Sequence, residues 1–354
     1  MTLNKGLFSF LLLFTLASAF GQRGTSIFSF TKLSPSARLT GLGQHGTALI
    51  DEDPLLSRAN PASLSDQLSL TAGAQFGSLS PGIRFGHAFL SNRSEKTDLQ
   101  WIAGASFVNY GEFISANAQG LQSGSFDARD LSIYIGVSKR VYERLYAGVS
   151  IEYVQSELAE FSSSGMAGHL GLLYLVEEKQ FTVGMAWRNI GWQWSPFDGV
   201  NERMRSQLNL AISKRLAHLP LRFSLVYHDL NRWNLLYDSP VGEESSTIGQ
   251  IAQTEEKSEF ALWVDNFSRH LAINAEFFIG KKEQFRLRLG YDHQRRKELS
   301  LPNWGSLAGF SGGFGVVIRG VSFDYGFGSY HLAGGLHHLG LSARLGQRDK
   351  VNIL

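Results

Sequence analysis

From about Gln67 onward the chain divides into segments of roughly ten residues in which apolar and polar side chains alternate, separated by turn residues. In Arg144–Val154 the odd positions are Leu145, Ala147, Val149, Ile151 and Tyr153, while Gly148, Ser150 and Glu152 fall between them. Leu221, Phe223, Leu225 and Tyr227 alternate with Arg222, Ser224 and His228. Leu271, Ile273, Ala275, Phe277 and Ile279 alternate with Asn274 and Glu276, and Phe285, Leu287, Leu289 and Tyr291 with Arg286, Arg288 and Asp292. A period of two sends the two sets to opposite faces of a strand. Strands of a soluble sandwich usually run to about five or six residues. The segments here have the length that crosses a bilayer at a tilt. They fall at approximately 68–77, 82–90, 98–110, 128–140, 144–158, 167–177, 181–191, 206–216, 221–231, 270–280, 284–295, 309–319, 321–331 and 335–346. The count is even, as a single-chain bacterial barrel requires. No repeat of propeller length is visible. The pattern predicts an all-β fold, a transmembrane antiparallel β-barrel of about 14 strands.

The start of the chain predicts export. Lys5 precedes the apolar run Leu7–Leu16, and Ala17-Ser18-Ala19 has the small-residue pattern of a cleavage site. Residues 1–21 are therefore expected to be a signal peptide, and the run is too short to span a bilayer as a helix. The 354 residues include no Cys, which excludes disulfides, thiolate metal sites and a lipid anchor at the cleavage site. The 38 Gly, the 25 Phe and an aromatic content of 12% accompany a mean hydropathy near zero. Strands that alternate between lipid and lumen give this combination. The net charge is only +2 and no basic block stands out, so nothing argues for nucleic acid.

Connections alternate in length. Ser80-Pro81-Gly82, Arg140–Glu143, Glu177–Gln180, Gly280–Gln284 and the single Gly320 read as short turns. Glu112–Asp127, Gly191–Arg205, Arg232–Ser258 and Lys297–Leu307 read as long polar loops, and Tyr237–Lys257 is acidic enough to read as a solvated one. Phe260, Trp263, Val264 and Phe267 recur at helical spacing instead, which predicts a short amphipathic helix in a loop on the barrel rim or the membrane interface. Aromatics such as Tyr110, Tyr142, Trp192, Trp194 and Trp233 fall near strand ends, where interface girdles are expected.

Enzymatic chemistry finds little support. Ser29-Phe30-Thr31-Lys32 matches S-x-x-K, but no K-T-G strand accompanies it. His337 and His338 are adjacent and must point to opposite faces of a strand, which leaves them and His331 without a shared site. No G-x-S-x-G, H-E-x-x-H or Walker loop occurs. No catalytic residue, cofactor or metal is predicted. Glu276, Arg286, Arg288 and Asp292, with Arg295, Arg296 and Glu298, predict a charged lumen wall, because charge on the lipid face is costly. That wall serves either as a salt-bridged lining or as a docking or ion-selective surface.

Several motifs taken in order carry a resemblance. Ser34-Pro35-Ser36-Ala37-Arg38 leads through Gly41 and Gly43 to Asp51-Glu52-Asp53-Pro54 and Asn60-Pro61-Ala62. Further on come Trp187-Arg188-Asn189-Ile190-Gly191, Arg286–Leu299, Gly309–Gly315 and Tyr330-His331-Leu332-Ala333-Gly334. The first stretch resembles the N-terminal plug of fatty-acid-transporter-like barrels of Bacteroidetes. The set as a whole is similar to the PorQ family, an outer-membrane component of the type IX secretion system. The resemblance implies a plug at 22–66, ahead of the barrel that the alternation places at 67–346, with a tail at 347–354 after it. Pro35, Ser36, Ala37, Arg38, Gly43, Asn60 and Pro61 are its turn motif. It further implies a non-enzymatic scaffold in an attachment complex that processes cargo and links it to lipopolysaccharide. The expected partners are a PorZ-like surface protein, PorU- and PorV-like components, and outer-membrane lipid. The alternative is an outer-membrane transporter for hydrophobic small molecules.

Overall fold

The computed structural model describes residues 26–80, 82–117, 119–236, 258–299, 307–331 and 334–345. The expected signal peptide, the acidic loop and the tail lie outside these residues. Fourteen strands run in chain order: β1 (Thr71–Ser80), β2 (Ile83–Ser94), β3 (Leu99–Ala116), β4 (Gln122–Tyr142), β5 (Leu145–Leu158), β6 (Phe161–Val176) and β7 (Phe181–Ser195). They continue as β8 (Gln207–Arg215), β9 (Leu221–Tyr227), β10 (Leu271–Ile279), β11 (Phe285–Asp292), β12 (Phe310–Ile318), β13 (Val321–His331) and β14 (Gly334–Arg344). Each pairs antiparallel with its neighbours in sequence, and β1 pairs with β14 from Thr71↔Arg344 to Ser78↔His337, so the sheet is a closed barrel. Closure leaves no strand edge to satisfy, which is the condition for a sheet in lipid.

The alternation is realised in side-chain placement. Ile133 and Ile135, Val149 and Ile151, Ile273 and Phe277, Leu287 and Leu289, and Leu339 and Leu341 are all exposed on the outer face. Between them Tyr134, Ser150 and Glu152, Asn274 and Glu276, Arg288, and His338 are buried on the inner face. No helix among the described residues is long and apolar enough to cross a membrane, which leaves the strands of the barrel as the elements with an apolar outer face.

The longest connections lie at one end, while short links occur at both. Where β1 begins and β14 finishes, the links are short: Tyr142 to Leu145, Val176 to Phe181, Ile279 to Phe285. The β12–β13 link is a two-residue turn in which Arg319 (φ 49°) and Gly320 (φ 80°) both take left-handed conformations. That is the backbone a type I′ hairpin demands. At the other end the chain travels from Tyr227 to Leu271 and from Asp292 to Phe310 between strands, but the expected strict alternation of lengths fails: the Ser80–Ile83 turn and the links Leu158 to Phe161 and His331 to Gly334 are short and lie at this same end. In outer-membrane barrels the long loops face outward, which makes the end with the two longest connections the outer one.

Two expected outer loops are corrected. Glu112–Asp127 is mostly strand, with β3 and β4 continuing as a paired hairpin until Ala116 meets Gln122. β7 likewise runs on to Ser195, inside the expected loop Gly191–Arg205. Beyond the hydrocarbon an outward face has no need to be apolar, so backbone pairing continues where the sequence pattern fades. Conversely, β11 stops at Asp292, and Arg295, Arg296 and Glu298 belong to a helix, His293–Leu299, rather than to the wall.

Candidate functional site

Residues from Ile27 to Leu68 fill the lumen, and many of them are buried. The segment is built from short capped turns because no long element fits the space. A one-turn helix, α1 (Ala37–Gly41), is capped by the Ser36 hydroxyl, which accepts from Leu39 N–H at 3.3 Å. Asp53 caps the 3-10 turn Pro54–Arg58, and Asn60 caps Pro61–Ser63 by accepting from Ala62 N–H at 3.0 Å. Proline follows the cap in both turns, where its missing N–H costs nothing. Asn60 also donates to Leu172 C=O on β6 at 3.1 Å, which ties its turn to the wall. Pro35 and Ser36 lead into α1, and Gly43, at φ 75°, turns the chain after it.

Glycine sets how closely the segment approaches the wall. A Cβ on Gly148, Gly171 or Gly184 would overlap the backbone of Thr47–Ala62, and one on Gly326 would overlap α1 at Ala37 C=O. Backbone therefore lies directly on backbone. Here the plug and barrel are complementary at the level of single methyl groups.

Charge supplies the second tie. Arg38, 2% exposed, donates from Nε and Nη2 to both oxygens of Glu276 on β10, at 2.9 and 3.0 Å. Its Nη atoms also reach Asp51 at 2.9 and 2.7 Å and Asp53 at 3.2 Å. Glu276 further accepts from Arg222 and, at 3.2 Å, from Arg288, which bridges on to Asp324 at 2.6 Å. Glu276 thus sits among three guanidiniums, one from the plug and two from the wall. A smaller copy lies across the lumen, where Arg58 of the plug chelates Glu152 on β5 at 2.8 Å to each oxygen and stacks 4.1 Å over Tyr134. Buried charges of this kind are tolerable only when fully paired.

Of the expected wall residues, Glu276 and Arg288 meet directly, and Arg286 lies beside them over the Phe278 ring. Asp292 does not join them. It stands at the outer end of β11, 3.0 Å from His45. Sequence reading missed Arg222, Asp51 and Asp53 as members of the network, and Arg58–Glu152 altogether. Each is a plug-to-wall or strand-to-strand meeting with no fixed spacing. The one available signal was charge on the inward phase of a strand, which Arg222 and Glu152 both carry.

The outer rim carries the expected helix, here α2 (Glu259–Arg269), opened by Ser258, whose hydroxyl accepts from Ala261 N–H. Phe260 and Trp263 are 74% and 50% exposed, and Val264 is exposed beside them. Phe267 is the inward member, against Tyr227 at 5.5 Å. Trp263 stacks on Phe267 and lies 6.2 Å from Trp233. Asp265 holds Arg269 at 2.8 Å and Lys297 of α3 (His293–Leu299) at 3.4 Å. Burial pushes the Asp265 carboxyl up, but these two cations outweigh it and hold it below the usual carboxylate range. Ser29 is exposed on a 3-10 turn at the outer mouth; burial and then Arg205 push Lys32 down to about 8.

Two clefts meet on the outer part of the wall. One, of about 400 Å³, opens to the outside of β3–β5 between Phe107, Asn109, Arg129, Leu131 and Glu157. The other, of about 230 Å³, lies at the mouth between Ile27, Phe28 and Phe197. Asp130 lines both, held by Tyr110 O–H at 2.5 Å and by Ser156. Beside them the β3–β4 register shifts between Asn109 and Glu112, with Gly111 at φ 82°.

No family model and no curated protein matches the chain. Among solved structures, the toluene transporter TodX of Pseudomonas putida is similar with a TM-score of 0.52 and 14% identity, over 88% of this chain and 97% of that one. A TodX monoaromatic hydrocarbon channel mutant lacking S2 gives 0.51 and 14%, over 87% and 96%. A FadL homologue of Pseudomonas aeruginosa gives 0.49 and 11%, over 88% and 98%. At these identities the likeness is one of fold: the chain is a closed 14-strand antiparallel barrel whose architecture resembles that of the TodX outer-membrane barrel.

Proposed function

We propose that this protein is a non-enzymatic outer-membrane scaffold, a plugged barrel that holds a surface partner by its outer rim. One observation carries the reading: the segment filling the lumen is fastened to the wall at both Glu276 and Glu152 and pressed against wall glycines. A lumen filled and pinned in this way suits a support better than an open pore. The rim then offers what a partner needs, an exposed aromatic helix braced by α3. The motif order that resembles the PorQ family supports placing this scaffold in a type IX attachment complex, with a PorZ-like protein on the rim. PorU- and PorV-like components and lipopolysaccharide would lie nearby. Affinity purification from outer membranes should recover a large soluble surface protein with the barrel. Deletion should leave cargo in the periplasm, and normal cargo export in a clean deletion strain sinks the reading.

The second reading, a transporter for hydrophobic small molecules, has the fold comparisons on its side: the neighbours with the higher scores are named as a toluene transporter and a monoaromatic hydrocarbon channel. The structural observation in its favour is the pair of clefts sharing Asp130 beside the β3 bulge. A route from the outer mouth to the membrane would pass there. Toluene uptake into proteoliposomes faster than into protein-free vesicles would support transport. Equal rates would leave the scaffold. Absence of catalysis is part of the proposal, and a fluorescent β-lactam should fail to label Ser29; covalent labelling that Ser29→Ala abolishes would overturn it.

A further inference from the structure

Three side chains from distant parts of the chain meet near the outer end of the lumen. His45 comes from the plug, His228 follows β9, and Asp292 ends β11. One donor atom from each lies within 4.8 Å of the other two. His45 Nε2 is 3.0 Å from Asp292 Oδ2, and the His45 and His228 rings stack with centroids 4.9 Å apart. His228 and Asp292 are only 4% and 3% exposed.

His228 gives the cluster its direction. Its Nδ1 lies 3.3 Å from Asp229 Oδ2, so a proton on Nδ1 donates there. Its Nε2 is buried and has no hydrogen-bond partner. Leaving a buried acceptor unmet is costly. An imidazole fixed by a carboxylate on one nitrogen and free on the other is also how metal-ligating histidines are held. Two imidazoles and one carboxylate, with no thiolate, suit a borderline divalent ion rather than the oxygen-seeking Ca²⁺ or Mg²⁺.

We propose that His45, His228 and Asp292 bind a divalent transition-metal ion of the Zn²⁺ type, with water completing a tetrahedron. Bonds of about 2.0–2.1 Å place tetrahedral donors about 3.4 Å apart. The His45–Asp292 pair is close to that spacing already, and His228 has to move inward by roughly 1 Å. As the ion enters, the proton between His45 Nε2 and Asp292 leaves that nitrogen, and the neutral His45 ring then carries its one proton on Nδ1. Two cations stand close by. Arg295 Nε is 3.5 Å from Asp292 Oδ2 while its backbone N–H holds Oδ1 at 3.0 Å, and Arg205 is 3.9 Å from Asp229. They offset the carboxylates, so affinity rests on the imidazole bonds. The ion would join the plug to β9 and β11 at the outer end, apart from the Glu276 network.

The test uses the whole barrel, purified in detergent, stripped with chelator and titrated with Co²⁺. One equivalent bound, a visible d–d band of tetrahedral intensity, and displacement of that band by Zn²⁺ are expected. His228→Gln should weaken binding at least tenfold, whereas His338→Gln, at a buried histidine bonded to Thr40, should not. Folding of each variant is checked by the heat-modifiable gel shift of the barrel. Folded wild-type barrel that takes up no stoichiometric Co²⁺, or a folded His228→Gln that binds as well as wild type, overturns the site.

Discussion

Arg38 meets three carboxylates, Asp51 and Asp53 from the plug and Glu276 from the wall, and Arg222 joins Asp51 to Glu276 a second time. Arg38→Ala would leave the buried Glu276 to Arg222 and Arg288, and the half-buried Asp51 to Arg222, with no cation of the plug on the wall carboxylate. Removing one member of a buried pair costs about 3–5 kcal/mol. Because the wall closes without Arg38, the expected loss is of plug attachment: limited proteolysis should cut within 27–66 in the variant while the β-sheet circular dichroism stays unchanged. An intact plug in that variant would contradict the role given to the network. Arg38→Lys should rescue only in part, since an ammonium cannot chelate Glu276 and Asp51 together. Sequence reading reached Glu276 and Arg288 through the cost of charge in lipid. It could not pair Glu276 with Arg38, 238 positions away, because the link exists only once the plug is inside. Asp292 obeyed the same inward phase yet joined different partners, since phase fixes the face a residue takes and not its height along the barrel axis.

At the scale of elements, the strands were legible because two solvents act on them. Lipid selects apolar side chains at every second position, and the packed lumen selects small or charged ones at the others. Where only one solvent acts, as along the outer half of the β3–β4 hairpin, the period loses contrast and the strand ends were misplaced. The plug shows no periodicity, and its turns are recognisable only as capped Asp-Pro and Asn-Pro pairs. Its seat is a matter of wall glycines. Gly326→Leu, which drives a side chain into Ala37 C=O, should release α1 and make 27–66 protease-sensitive, as Arg38→Ala does, although it alters no charge. For α2, Phe260→Ser with Trp263→Ser should leave the barrel folded and reduce recovery of the surface partner at least tenfold. Unchanged recovery would move the docking surface elsewhere on the rim.

For the whole molecule, the competing jobs differ in what crosses the wall. Single-channel recording in planar bilayers should show no stepwise conductance for the wild-type barrel and open steps once the plug is freed by Arg38→Ala. Steady conductance in the wild type would speak against a sealed scaffold. The closure of β1 on β14 adds a constraint of another kind. The segment that ends inside the lumen is synthesised before any strand, and the strand that shuts the ring comes last in the order. A wall that assembles around its own filling would use it as a mandrel, with α1 and Arg38 offering β10–β14 a surface to register against before the seam closes. Plug mutations should then slow barrel assembly as well as loosen the finished product. The charged inner face would never have to meet lipid unmatched on the way.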